Sequence, residues 1–162
     1  MTTLASAFGK EFEDNKDLVR IRSFEMNGHT FKVKVPLTSE YEAMILKTSE
    51  VDKEAVNEYY KKLTEEFISK KDELDPKLGV VFKDNDVEIQ GRSMKETARN
   101  KVVTENRILA MVKMIVPEVK DFDMQSITYE MVEELFPFSL QLELIERIGE
   151  VISPNYSSSK GK

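Results

Sequence analysis

The stretch that constrains this chain most is Asn27-Gly28, set between two runs in which apolar residues recur, from Leu18 to Met26 and from Phe31 to Val35. An Asn-Gly pair in that setting signals a β-hairpin, because Gly28 can take the positive φ that a tight turn requires. Loop length then decides which side chains share a face. A two-residue loop sets Arg22 opposite Val33 and Arg20 opposite Val35, mixing charge into the apolar row. A three-residue loop of Met26, Asn27 and Gly28 pairs Val19 with Val35, Ile21 with Val33 and Ser23 with Phe31, leaving Arg20, Arg22, Lys32 and Lys34 on a solvated face. The second register is the one expected from apolar pairing. Pro36 ends the strand by removing a donor, and Ser39-x-x-Glu42 reads as a capping box opening a helix to about Thr48.

Further along, helical and strand patterns alternate. Val56, Tyr59, Tyr60, Leu63 and Phe67 recur at helical spacing and build one apolar stripe, with Asp52 as its N-cap. "LGVVFKDNDVEIQG" predicts a second hairpin whose turn at Asp84-Asn85 sets Phe82 opposite Val87 and Val80 opposite Ile89. A helix is expected from Ser93 to Val116, polar first and then almost wholly apolar, stopped by Pro117. Two more follow, Thr128 to Leu135 and Ser139 to Ile152. The last has a single polar stripe, Glu143, Glu146, Arg147 and Glu150. The expected fold class is therefore α+β, a mostly helical single domain with an N-terminal hairpin and a short hairpin in the middle. Residues 1–17 are expected to be loose or weakly helical, 18–152 to form the domain, and 153–162 to be a flexible tail.

Composition narrows the function. The 162 residues contain no cysteine, so thiol nucleophiles, thiolate metal sites and disulfides are excluded, in keeping with a reducing cytoplasm. A formal charge of −6 opposes sequence-independent binding to phosphates, so no nucleic-acid partner is expected. The longest apolar run, Ile108 to Val116, is broken by Lys113, far from the roughly 20 residues of a spanning helix, so no membrane partner is expected either. The opening residues lack a basic start and an apolar core, which argues against export and for a cytoplasmic location.

No catalytic or ligand-binding pattern in the sequence is complete. His29 is the only histidine and follows the turn glycine, with nothing nearby in sequence to orient it. Asp84, Asp86 and Glu88 alternate as in the start of a calcium loop, but Ile89 stands where that loop needs glycine and Lys95 where it needs a bidentate carboxylate. No glycine cluster suits a nucleotide, so neither a cofactor nor a metal is expected. Carboxylates such as Glu105, Glu118 and Asp121 would matter for catalysis only inside a deep polar cleft.

What exceeds the background is apolar supply. There are eight methionines, and Met26, Met44, Met94, Met111, Met114, Met124 and Met131 run through the body of the chain; methionine fills irregular cores and also makes adaptable binding surfaces. "EELFPFSLQLELIERI" has an apolar face wider than one supporting layer consumes, and such surplus marks partner contacts or self-association. The candidate partner-binding set is Met131, Leu135, Phe136, Phe138, Leu140, Leu144 and Ile148. On these residues the chain reads as a non-catalytic interaction protein, with an adaptor or regulatory module as one form of it.

"SFEMNGHTFKVKVPLTSEYEAM", Ser23 to Met44, resembles the start of the tail assembly chaperones of long-tailed, lambda-like bacteriophages: a strand, an Asn-Gly turn, a second strand and a serine-and-glutamate-led helix. The likeness covers about one seventh of the chain. It implies a non-catalytic protein of the host cytoplasm that binds the tape measure protein and helps recruit tail tube subunits. That family commonly makes a second, longer product by ribosomal frameshifting, and Gly161-Lys162 can be encoded by a run of G and A on which ribosomes slip.

Overall fold

The computed structural model describes residues 2–153. The expected flexible tail thus lies, apart from Ser153, outside the described residues. The fold is α+β with far more helix than strand, and it carries two small antiparallel sheets of three strands each. The chain divides into two compact units, residues 2–44 with 108–153, and residues 45–107.

In the first unit, two short helices, α1 (Leu4–Ala7) and α2 (Lys10–Asp14), and a 3-10 turn at Lys16–Arg20 lead into β1 (Ile21–Met26) and β2 (His29–Lys34). The hairpin is there, but its register is the two-residue one, with Met26 opposite His29, Phe24 opposite Phe31 and Arg22 opposite Val33. The expected three-residue loop is therefore corrected. Asn27 at φ 53° and Gly28 at φ 79° form the turn, and positive φ at both central residues is what a type I′ hairpin turn requires.

The physical reason lies in which residues are strand. Val19, counted as a strand partner in the expected register, belongs to the 3-10 turn and is exposed. The observed register instead aligns Phe24, Met26, Phe31 and Val33 on one face, where the Phe24 and Phe31 rings stack 5.4 Å apart and Met26 and Val33 are buried. Arg22 shares that face only at the hairpin's open end, where it reaches solvent. Arg20 does not join a solvated row either. Its Nε donates to the Val35 carbonyl at 2.8 Å and its guanidinium meets Glu40 at 2.5 Å.

Glu40 belongs to α3 (Thr38–Ser49), which straddles the two units. Its carboxylate also accepts the Leu37 N–H at 2.9 Å, so the backward-reaching glutamate of the cap is Glu40 and not the expected Glu42.

The remaining elements of this unit close over the hairpin. Residues 108–112 end α5 (Met94–Val112), and the expected helix to Val116 stops there. Ile115 and Val116 form a strand against β2, paired Val33 with Ile115 and Lys32 with Val116. Val116 precedes Pro117, which disfavours helical backbone at that residue, and Ile115 and Val116 are both β-branched. A 3-10 turn at Met124–Ser126, α6 (Tyr129–Leu135) and α7 (Phe138–Ile152) complete the unit. α7 packs on the hairpin and against α6. The core unites Met26, Val33, Ile108, Met111, Val112, Ile127, Val132, Leu144 and Ile148. One polar side chain is buried with them: Gln141 accepts from the Tyr129 hydroxyl and donates to the Phe136 carbonyl, each at 2.8 Å, tying α6 to α7.

In the second unit, α4 (Lys53–Ser69) begins at Asp52, whose carboxylate accepts the Glu54 N–H. Val56, Tyr59, Tyr60, Leu63 and Phe67 are all half-buried along one stripe, as their spacing predicts. β3 (Val80–Phe82) and β4 (Val87–Ile89) pair in the expected register, Val80 with Ile89 and Phe82 with Val87. A short strand, β5 (Arg92–Ser93), adds to β4 through a second tight turn with Gln90 and Gly91 both at positive φ. In chain order the strand Ile115–Val116 is then β6. The sheets run β1-β2-β6 and β3-β4-β5. Residues 94–107 of α5 belong to this unit, whose buried residues are Thr64, Val87, Met94, Ala98 and Val102.

Candidate functional site

The seven candidate residues divide by depth. Leu144 and Ile148 are fully buried in the core, so they support the surface from beneath and are not part of it, which corrects their placement in a contact set. Phe136 packs half-buried against the core, and Leu140 is half-buried on α7. Met131 (41%), Leu135 (74%) and Phe138 (54%) are exposed, and so is Leu142 (41%), which lies outside the expected set. Met131 and Leu135 are four residues apart on α6, and Phe138 and Leu142 four apart on α7, so each pair forms one ridge along its helix.

The signal that could have found Leu142 is in the helical projection. Gln141, Leu144 and Ile148 face the core together, which leaves Phe138 and Leu142 on the shoulder of an apolar arc broader than the core uses. The neighbouring charges, Glu133, Glu134, Glu146 and Arg147, are exposed and give the ridges a mainly acidic surround. Chemically this arrangement can bury apolar surface against a partner. It presents no cluster of reactive groups.

Several of the other chemically suggestive residues have structural partners. His29 stands 3.9 Å from the Glu118 carboxylate, and its ring meets Phe31 edge-on at 4.6 Å. Glu105 accepts from the Tyr59 hydroxyl at 2.7 Å, with Lys101 over the same ring, joining α4 to α5. Asp86 works as a cap. It accepts from the Val87 N–H at 2.8 Å, the Lys95 N–H at 3.1 Å and the Ser93 hydroxyl, while Ser93 in turn accepts from the Glu96 N–H. Burial pushes the Asp86 carboxyl up, but the hydrogen bonds from Ser93, Lys95 and Val87 and the Lys95 charge outweigh it and hold the group below its ordinary range. Glu88 pairs with Lys83 at 2.6 Å, and the like bond holds the Lys83 amine above its usual range. Among the described residues, no three histidine, aspartate or glutamate side chains come together in a way that could hold a metal ion, and no helix is long and apolar enough to cross a membrane.

Comparison with protein-family models, with characterised proteins and with solved structures yields no match.

Proposed function

We propose that this chain is a non-catalytic tail assembly chaperone of a long-tailed bacteriophage, acting in the host cytoplasm, which holds the tape measure protein and helps bring tail tube subunits to it. The observation that carries the reading is the pair of exposed apolar ridges, Met131 with Leu135 and Phe138 with Leu142, seated on a core-anchored helix pair. A long helical client exposes apolar stripes before it is encased. A rigid pair of ridges can cover such a stripe as a groove covers an amphipathic helix. Methionine at position 131 adds an adaptable contact, and the net charge of −6 keeps a protein with this much exposed apolar area soluble. The resemblance of Ser23 to Met44 to the family's opening supports the same assignment.

Co-expression tests it. The tape measure protein encoded in the same genome, made alone, is expected to aggregate, and made with this chain to stay soluble and co-purify. Failure of both, with the two proteins well expressed, would overturn the proposal in favour of an adaptor with other partners. The nucleotide sequence across codons 155 to 162 gives an independent check, since a slippery run followed by an open frame belongs to this family's gene arrangement.

A further inference from the structure

The net charge of the chain is not spread evenly. Residues 129–152, which make up α6, α7 and the two residues between them, carry six glutamates against one arginine. Five of the six net negative charges therefore sit on this helix pair, and the other residues balance to within one. Among the described residues none of these six carboxylates has an ion-pair partner, whereas Glu40, Glu66 and Glu88 elsewhere are each paired with an arginine or a lysine.

The unpaired carboxylates follow the apolar ridges. On α7, Glu146 and Glu150 continue in steps of four the row that begins with Phe138 and Leu142. On α6, Glu130 and Glu134 run one residue beside Met131 and Leu135. All four glutamates are exposed. Their placement works against the helices that carry them, because each row sets like charges at i, i+4, and Glu150 stands in the last turn of α7, where the partial negative end of the helix repels it. Solubility asks only for charge somewhere on the surface, so it does not account for acid gathered beside the two ridges.

We propose, on the reading that the α6–α7 ridges hold a partner, that the segment they hold is an amphipathic helix whose apolar stripe is bordered by lysine or arginine. Apolar pairs at i, i+4 accept a stripe of the same helical spacing. The glutamate rows then meet cations on the flanks of that helix, and repulsion within each row is offset by attraction across the interface. A helix with acidic flanks adds repulsion at the same places, so the rows select among apolar clients by charge.

The test titrates the whole chain with three synthetic peptides of about 18 residues, long enough to hold helix. All share one leucine stripe at i, i+3, i+4 and i+7, and their flanking positions are lysine, glutamine or glutamate. At low salt the lysine helix should bind about tenfold or more tighter than the glutamine helix, and the glutamate helix most weakly; the differences should largely close at about 0.5 M salt. Glu130→Gln with Glu134→Gln, and separately Glu146→Gln with Glu150→Gln, should each reduce the preference for lysine several-fold. Glu54→Gln with Glu58→Gln on α4 removes as much charge elsewhere and should leave the preference unchanged. Equal binding of the lysine and glutamine helices would overturn the charge selection while leaving the ridges as a partner surface, and an equal effect of the α4 pair would overturn it in favour of the general field of an acidic protein. Binding of no helix, or binding of the lysine helix that survives Leu135→Ser with Phe138→Ser, would overturn the reading of the ridges as well.

Discussion

Removing the carboxylate of Asp86 should destabilise the second unit by about 2 kcal/mol. The magnitude follows from three donors losing one acceptor. Asp86 takes the N–H of Lys95 in the first turn of α5, a capping bond of the kind worth about 0.5–2 kcal/mol, and also the Val87 N–H and the Ser93 hydroxyl. The latter two lie near a half-exposed position where water partly replaces the lost acceptor, which keeps the total below the sum of three charge-assisted bonds. Urea unfolding of Asp86→Ala followed by amide exchange across residues 45–107 measures it, with Asp84→Ala at the same hairpin tip as a near-neutral control. Asp86→Asn keeps an oxygen for the two backbone donors and should lose about half as much.

A pH series separates charge from shape. Because the folded carboxyl is held below its ordinary range, its contribution is present above the unfolded value of about 3.9 and is lost as pH falls through the lower folded value. The gap between wild type and Asp86→Asn should therefore narrow in acid. A loss below about 0.5 kcal/mol for Asp86→Ala, or a gap that widens in acid, would refute the capping account.

Gly28→Val should cost about 1–3 kcal/mol, read by thermal melting, because φ at that position is 79° and nothing lies within 4 Å of an added Cβ, so the whole cost is backbone strain. Leu144→Ala and Ile148→Ala, each fully buried, should cost about 2–5 kcal/mol, whereas Leu135→Ala should stay within about 0.5 kcal/mol; denaturant midpoints decide this. Melting curves with and without calcium should superimpose, since Asp86 is engaged as a cap and Glu88 by Lys83; a shift of the order of 2.7 kcal/mol, as for a ligand at a hundred times its Kd, would contradict that.

The parts of the fold that sequence makes legible are those where local chemistry and tertiary need agree. The second hairpin was readable because Asp84-Asn85 separates two short alternating runs with no competing turn. Asp52 as a cap and the stripe from Val56 to Phe67 were readable for the same reason. The first hairpin's register was not. Apolar matches out to Val19 and Val35 favour a three-residue loop, whereas the turn's own preference for positive φ at Asn27 and Gly28 sets the register, and the 3-10 turn removes Val19 from the strand. β6 escaped because two β-branched residues at the end of an apolar run carry no period of their own, and only Pro117 hinted that helix could not continue. At the candidate surface, the excess apolar width of the last two helices was visible, but which side of α7 met the core was not. That depended on Gln141, a polar residue drawn inside by its bonds to Tyr129 and Phe136.

The central claim is that the exposed ridges of α6 and α7 hold a client. Titration of the tape measure protein into wild type and into the Leu135→Ser, Phe138→Ser double variant, with melting temperatures of both, tests it most directly. Burying a side chain of this size contributes about 1.5–3 kcal/mol, so losing two should weaken binding by about two or more orders of magnitude. Both residues are more than half exposed, so the melting temperature should hold within a few degrees. A double variant that stays folded and binds the client as wild type does would contradict the account.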